Sequence, residues 1–213
     1  MISSPHGLRR GLALVVLCVA LTAGAARAES PEQFVQSLGD RATEILKTKT
    51  QTTFAEREQT FRTLLLESFD IPTIARFVLG RHARTLSEAE YRDYEKLFID
   101  FIVRIYALRF DAYSGETFRV DRILDQTDND VVVRALIERP GGQPPVRTDW
   151  RIRTGPAGPK VIDVYVEGIS MLNTQRQEFA AVIDQRGVEG LMDEMRARLV
   201  QIAGAAEAQT AAQ

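Results

Sequence analysis

The sequence predicts an α+β protein in which helices come first and an antiparallel sheet follows. Apolar residues recur every three or four positions up to about residue 113, which is the helical period, and then every second position, which is the strand period. The links between the alternating segments are short and rich in Gly, Pro, Asn and Asp. Such short links favour hairpins, and hence an antiparallel meander.

The first 28 residues have the pattern of a secretory signal peptide. Arg9 and Arg10 precede the apolar run 12–21, and small residues lie at Ala26 and Ala28, the positions that a signal peptidase reads. The apolar run is too short to span a bilayer. We therefore expect cleavage after Ala28 and export to the periplasm.

The composition of the mature chain excludes several functions. Removal of residues 1–28 leaves 24 basic and 29 acidic side chains, a net charge of −5, which is not the footprint of a nucleic-acid-binding protein. The mature part contains no cysteine and one histidine, His82, so cysteine nucleophiles and histidine-rich metal sites are disfavoured. We expect one domain over residues 29–203, a disordered tail over 204–213, no enzymatic activity and no cofactor.

Capping residues and periodicity predict six helices. The longest, Ser87–Tyr113, begins with a capping box of Ser87 and Glu90 and carries an aromatic-rich apolar face that is wider than one flat sheet would cover. Something must therefore cover that face, either protein alone or protein with a bound apolar molecule. The other helices are predicted from Pro31 to Lys47, from Thr53, from Asp70 to Gly80, from Thr174 to Gly187, and through Leu191 to Ile202.

Four strands are predicted after the long helix. In the third, apolar residues such as Trp150 alternate with charged residues, which indicates one buried face and one wet face. Four arginines of the wet face, Arg134, Arg147, Arg151 and Arg153, are either simply solvated or a docking surface for an acidic partner. The predicted strands are Thr117–Leu124, Asp130–Glu138, Val146–Thr154 and Lys160–Val166.

Two stretches carry a family resemblance. The segment Phe69–Tyr113 resembles the central helical region of the MlaC family of periplasmic phospholipid-binding proteins, also called the toluene-tolerance family, which has a branch in hopanoid-associated gene sets. The second stretch resembles that family's D-x-x-V-E-G-[VI]-S-[LM] pattern and the R-x-x-F that follows it. Its matching residues are Asp163, Val166, Glu167, Gly168, Ile169, Ser170, Met171, Arg176 and Phe179. The proline-rich loop 141–145 departs from the family pattern.

The resemblance implies a cone similar to nuclear transport factor 2, in which a curved four-stranded antiparallel sheet and the long helix, with a small helical subdomain, enclose an apolar cavity. It implies a phospholipid as cargo, with the acyl chains inside and the head group near solvent. The implied role is transport between an outer-membrane lipoprotein complex and an inner-membrane transporter complex, which maintains outer-membrane lipid asymmetry. We expect a monomer, since a carrier must keep its cavity mouth and docking faces free.

The candidate lipid-binding residues are apolar side chains on the predicted buried faces. Periodicity cannot distinguish a filled core from a lined cavity, so their assignment to a cavity rests on the resemblance. The candidates are Ile74, Phe77, Val78, Leu97, Phe98, Phe101, Ile105, Leu108, Val131, Val133, Trp150, Ile152, Val164, Val166, Ile169, Met171 and Phe179.

Three alternatives stay open. The chain could be a periplasmic assembly or interaction protein without a lipid, in which the aromatic face is simply packed. It could be an enzyme, since the implied cone also houses isomerases and dehydratases, with Asp163 or Tyr165 as the acid or base. The cargo could also be a hopanoid or another lipid.

Overall fold

The structure, a computed structural model, describes residues 29–48, 51–109 and 113–211, and for residues 109 and 205–211 it describes the backbone alone. The predicted signal peptide lies outside the described residues. The α+β class is confirmed: four helices precede an antiparallel sheet, and a fifth follows it. The helices are α1 (Pro31–Lys47), α2 (Phe54–Ser68), α3 (Ile71–Leu79), α4 (Glu88–Arg109) and α5 (Met171–Ala211), with short 3-10 helices at Gly80–Arg84 and Pro140–Gly142.

The sheet is an antiparallel meander of five strands in the order β1-β2-β3-β4-β5. The four predicted strands are present within two residues of their predicted ends. The fifth was not predicted, because two residues are too few to show an alternating pattern. The strands are β1 (Thr117–Gln126), β2 (Asp130–Glu138), β3 (Val146–Gly155), β4 (Gly158–Val166) and β5 (Ile169–Ser170).

The capping box predicted for α4 is confirmed, and capping boxes of Ser30 with Gln33 and of Thr53 with Glu56 begin α1 and α2. The predicted start of α5 at Thr174 is wrong: the helix begins at Met171, where the Ser170 hydroxyl accepts the N–H of Asn173 at 3.0 Å. The Thr174 hydroxyl instead donates to the Ser170 carbonyl at 2.8 Å. Thr174 therefore lies one turn inside the helix and does not cap its start.

Gly187, with φ at 70°, interrupts α5 where the sequence predicts a helix end. The helix then continues to Ala211, through residues for which the sequence predicts a disordered tail. Alanine has the highest helix propensity, which explains why this Ala-rich segment continues the helix. Helix α4 ends before Tyr113, and residues 110–112 of the predicted long helix lie outside the described part of the chain. None of the helices that the structure describes has the length and hydropathy needed to cross a bilayer.

Two separate hydrophobic cores hold the domain together. The helical core lies among α3, α4 and α5, and the sheet core lies between α1 and the sheet. The rings of Phe61 and Phe69 pack against both cores. The helical core contains Leu65, Ile71, Ala75, Val78, Leu79, Ala83, Tyr94, Phe98, Phe101, Val103, Phe179, Ile183, Leu191 and Met195, and the sheet core contains Val35, Leu38, Ile45, Leu64, Val133, Ala135, Ile152 and Val161.

The arginines of the wet sheet face are paired with acidic side chains of the same sheet. Arg134 donates two hydrogen bonds to Asp149, at 2.7 and 2.9 Å. Arg151 and Arg153 both bind the carboxylate of Asp130, which is 8% exposed. Arg147 lies 3.5 Å from Glu167. Four arginines share three carboxylates, so one positive charge of this set is left for an acidic partner.

Candidate functional site

An apolar cavity of about 280 Å³ lies between the two cores. Its wall is formed by α2, α3, α4, β3, β4 and the start of α5. Three polar side chains, Tyr106, Asp163 and Gln175, interrupt an otherwise apolar lining. The other lining residues are Phe61, Leu65, Phe69, Ile71, Ile74, Val78, Phe98, Ile102, Trp150, Ile162, Val164, Val166, Met171 and Leu172.

A larger cleft, of about 660 Å³, lies between α1 and α2. Most of its lining residues are charged or carry a hydroxyl or amide group, among them Asp40, Arg41, Glu44 and Glu56. Ten of the twelve lining side chains carry such a group, against three of seventeen in the smaller cavity. We therefore take the smaller, apolar cavity as the candidate site.

Helix α3 is held against the sheet in a way that turns one of its faces to the cavity. The N–H of Asp70 donates to the carbonyl of Val161 in β4 at 3.0 Å, and the Asp70 carboxylate caps the helix by accepting the N–H of Thr73 at 3.2 Å. Ile71, Ile74 and Val78 then follow at spacings of three and four, so they share one helix face. All three line the cavity.

Trp150 forms the sheet side of the wall. Its indole N–H donates to the Thr148 hydroxyl at 3.0 Å, so its one polar atom is satisfied within the strand. Its ring meets Phe69 and Phe118 edge-to-face, at centroid distances of 6.4 and 5.8 Å. The indole therefore contributes only hydrocarbon surface to the cavity.

Asp163 is the charged residue in the lining, and its carboxylate caps α5. One oxygen accepts the Ser170 hydroxyl at 2.6 Å, and the other accepts the backbone N–H of Leu172 at 3.1 Å. A carboxylate at a helix N-terminus is favoured by the helix dipole. These contacts assign Asp163 to anchoring α5 at the cavity wall, and they do not support an acid or base role.

A tight hairpin joins β4 to β5 between Asp163 and Ser170. Glu167 and Gly168 have positive φ angles of 49° and 84°, as a type I′ turn requires. The Glu167 carboxylate accepts the backbone N–H of Arg147 at 2.6 Å, and the Glu167 N–H donates to the Arg147 carbonyl at 2.9 Å. The D-x-x-V-E-G-I-S pattern therefore specifies a hairpin followed by a capped helix, beside the cavity.

The structure places seven of the seventeen candidate residues in the cavity wall. They come from α3, α4, β3, β4 and the first residue of α5. These seven are Ile74, Val78, Phe98, Trp150, Val164, Val166 and Met171.

The other ten candidates lie outside the cavity wall. The spacing of apolar residues predicts which face of a helix or strand is buried, but it does not predict what that face packs against. Phe101 and Phe179 lie in the helical core, and Leu97 and Ile105 pack against it. Val133 and Ile152 lie in the sheet core, with Val131 beside them. Leu108 is half-buried on α4, while Phe77 and Ile169 are 36% and 60% exposed.

Ten lining residues were not among the candidates. For α2 a signal existed, since Phe61, Leu65 and Phe69 recur at the helical spacing of four. For Ile162 no signal existed: Arg151 pairs with Asp163 and Ile152 with Val161, so Ile162 is the extra residue of a β-bulge and breaks the alternation. The ten are Phe61, Leu65, Phe69, Ile71, Ile102, Tyr106, Ile162, Asp163, Leu172 and Gln175.

Comparisons with known proteins agree with this architecture. The intermembrane phospholipid transport system binding protein MlaC of Haemophilus influenzae is 24% identical over 122 residues, which are 56% of this chain. The match spans 57% of that relative's length. A phospholipid-binding protein from Ralstonia solanacearum, solved in complex with a phospholipid, shares the fold with a TM-score of 0.72 and 24% identity. That likeness covers 81% of this chain and 98% of the other.

The match to a family model is the most extensive of these findings in sequence terms. The model of the MlaC protein family matches residues 36–197, which includes α2 to β5, most of α1 and much of α5. The matched range contains every residue that lines the cavity. Because the match extends over well more than half of the sequence, the chain belongs to the MlaC family.

Proposed function

We propose that this chain is a periplasmic phospholipid carrier that holds acyl chains in the cavity between the two cores. The observation that supports this function best is a cavity lined by fourteen apolar side chains, in a chain of the MlaC family. The Haemophilus relative is named as part of an intermembrane phospholipid transport system, and the Ralstonia protein was solved with a phospholipid bound. In our proposal the carrier is a monomer that moves lipid between an outer-membrane lipoprotein complex and an inner-membrane transporter complex, and so maintains outer-membrane lipid asymmetry.

The energetics of acyl chains suit a carrier that exchanges lipid by contact. Two chains contain about 30 methylene groups, and burying them is worth about 24 kcal/mol relative to water, at about 0.8 kcal/mol each. A lipid in a bilayer already has this stabilisation, so the cavity need only match the membrane. Escape into water is correspondingly slow. We therefore expect transfer only when a partner offers a continuous apolar route.

Native mass spectrometry tests the cargo. Residues 29–213 are exported to a bacterial periplasm, purified without detergent and measured, and the bound material is extracted and identified. We expect a stoichiometric adduct with the masses of two-chain phospholipids, whereas a polycyclic adduct would assign a hopanoid-type cargo. A mass without adduct that persists after incubation with phospholipid vesicles would contradict the proposal and favour the assembly protein with a packed aromatic face.

A matched pair of variants locates the cargo. Val164→Phe adds a ring to the cavity wall, and we expect the adduct to decrease strongly while the protein stays folded, because the ring fills existing space. Val200→Phe adds the same ring at a position that is 73% exposed, and we expect an unchanged adduct. Equal adducts in both variants would mean that the lipid binds outside this cavity.

A further inference from the structure

Three exposed arginines at α3, at the 3-10 helix that follows it and at the start of α5 have no acidic partner among the described residues. Within the part of the chain that the structure describes, Arg76, Arg84 and Arg176 form no salt bridge, although each side chain is exposed. Arg76 lies on α3, Arg84 ends the 3-10 helix that follows α3, and Arg176 lies in the second turn of α5. The arginines of the wet sheet face differ, because each of them is paired.

Contacts at the end of α3 and in the 3-10 helix place Arg176 and Asp184 of α5 beside this segment. The Arg176 guanidinium lies 4.7 Å from the centroid of the Phe77 ring and against Gly80, where an added Cβ would meet its Nη2 at 3.3 Å. Arg81 lies 3.6 Å from Asp184 of α5. Their side chains are 81% and 64% exposed, so the interaction between the two charges is weak. We define Arg76, Arg81, Arg84 and Arg176 as the arginine patch.

The acidic groups that face the patch do not neutralise it. Asp184 is the one described carboxylate that contacts a patch arginine closely enough to form a salt bridge. Arg76 stacks on Tyr91 at 4.5 Å, and Glu95 also faces that tyrosine. Burial raises the pKa of the Tyr91 hydroxyl, Glu95 raises it further, and Arg76 lowers it. Four arginines against these two carboxylates leave two positive charges.

We propose that the arginine patch is a docking surface for a protein partner that presents an acidic face. Arginine stacked on an aromatic ring is held flat, with its N–H groups directed outward for two parallel hydrogen bonds to a carboxylate. Phe77, 36% exposed in the middle of the patch, supplies the apolar contact that protein interfaces place beside their arginines. The inference deepens the proposed function, because it names the surface through which the carrier meets a membrane complex.

The strength of the charge favours a protein over a bare anionic bilayer. Each unpaired arginine raises affinity for an anionic bilayer about fivefold, so two net charges raise it about thirtyfold, which is a weak attachment. A close arginine–carboxylate pair across a protein interface can contribute about tenfold or more, where the directed hydrogen bonds that it gains outweigh the hydration that both groups lose. Two net positive charges therefore favour an acidic protein surface over an anionic bilayer as the partner.

The patch lies on the outer side of the elements that close the cavity. Helix α3 presents Ile74 and Val78 to the cavity, and it presents Arg76 to the exterior. In α5, Gln175 lines the cavity, and its neighbour Arg176 belongs to the patch. A partner bound there contacts the two helices whose displacement would widen the cavity, which couples docking to lipid transfer.

Charge reversal tests the docking surface. Each of the two membrane complexes of the proposed function is immobilised, and binding of residues 29–213 is measured at low and high salt. We expect Arg81→Glu with Arg84→Glu to weaken binding to at least one complex more than thirtyfold at low salt, and less at high salt. The matched control is Arg119→Glu with Arg122→Glu on β1, which reverses two exposed arginines far along the chain and should change affinity less than threefold.

The remaining outcomes are separated by two further measurements. Native mass spectrometry and thermal unfolding of both double variants should match the parent protein, so loss of docking is distinguished from loss of fold or of cargo. Equal binding by both double variants would overturn the proposal, and so would a parent protein that binds neither complex. Loss of binding to phosphatidylglycerol vesicles alone, with complex binding unchanged, would reassign the patch to the bilayer.

Discussion

The helical core and the sheet core are built from different kinds of side chain. The helical core is held by rings: Phe179 meets Phe98 edge-to-face at 6.2 Å and Phe101 at 6.0 Å. Tyr94 is completely buried there, and its hydroxyl donates to the Ala75 carbonyl at 3.2 Å. The rings fill the space between α3, α4 and α5.

The sheet core uses small and β-branched side chains instead. Val133, Ala135 and Ile152 face α1, and Gly39 of α1 lets the ring of Phe118 approach its backbone. The sheet core is covered by α1, and in the helical part α4 packs against α5 and α2. The cavity lies between the cores, and some of its wall residues, such as Val164, are only half-buried, which can be tested by mutation.

The largest effect is expected inside the helical core. Phe179→Ala removes a ring that is 3% exposed and contacts two other rings, and we expect a loss of about 3–5 kcal/mol in the free energy of unfolding. Urea unfolding followed by circular dichroism measures it. Phe77→Ala, at a 36% exposed position, is the control and should cost less than about 1 kcal/mol. Similar losses in both would mean that the helical core is not tightly packed.

A valine pair compares a filled core with a cavity wall. Val133→Ala, in the sheet core, should lower the free energy of unfolding by about 2–3 kcal/mol, since the methyl groups are surrounded on all sides. Val164→Ala, in the wall, should cost about 1 kcal/mol or less, because part of its surface faces the cavity. Both are measured without bound lipid. A larger loss for Val164→Ala would show that the wall is as densely packed as the core.

Gly39→Ala probes how closely α1 approaches β1. An added Cβ would lie 2.0 Å from Cδ1 of Phe118, so α1 or the ring must move. Overpacking costs about 1–3 kcal/mol, and alanine returns about 1 kcal/mol of helix propensity, so we expect a net loss of up to about 2 kcal/mol. Gly204→Ala, where an added Cβ meets nothing, should raise stability slightly. A gain in both variants would contradict the close approach.

The smallest effect is expected on the outer sheet face. Hydrogen bonds from Arg153, opposed by burial and supported by Arg151, hold the pKa of Asp130 below its usual range. A lowered pKa in the folded state stabilises the protein above the ordinary Asp value of about 3.9, and this contribution is lost as the pH falls toward the folded pKa. Asp130→Asn should cost about 1 kcal/mol at pH 7 and flatten the loss of stability below about pH 5. If the stability of both proteins depends on pH in the same way, the pKa of Asp130 is not lowered by folding.

Local sequence determined the helix starts and most of the strands. Ser87 and Glu90 lie three residues apart, so their capping box needs no distant contact to form. The alternation in β3 likewise predicted its bounds to within one residue, since opposite faces of a strand meet different surroundings. The family pattern at Asp163–Ser170 was also visible, although its roles as a hairpin and a helix cap were not.

Tertiary structure alone decided which buried faces meet a cavity. Phe101 and Ile102 are neighbours on α4, yet Phe101 packs in the helical core while Ile102 lines the cavity. Both side chains are apolar, and the helical period of apolar residues does not show whether protein or a cavity lies against them. Ion pairs were likewise not predictable from local sequence, since Arg151 binds Asp130, which lies 21 positions away in the chain. Sequence determined which side chains leave water, and the assembly of the two cores decided what each of them meets, because that depends on distances between segments far apart in the chain.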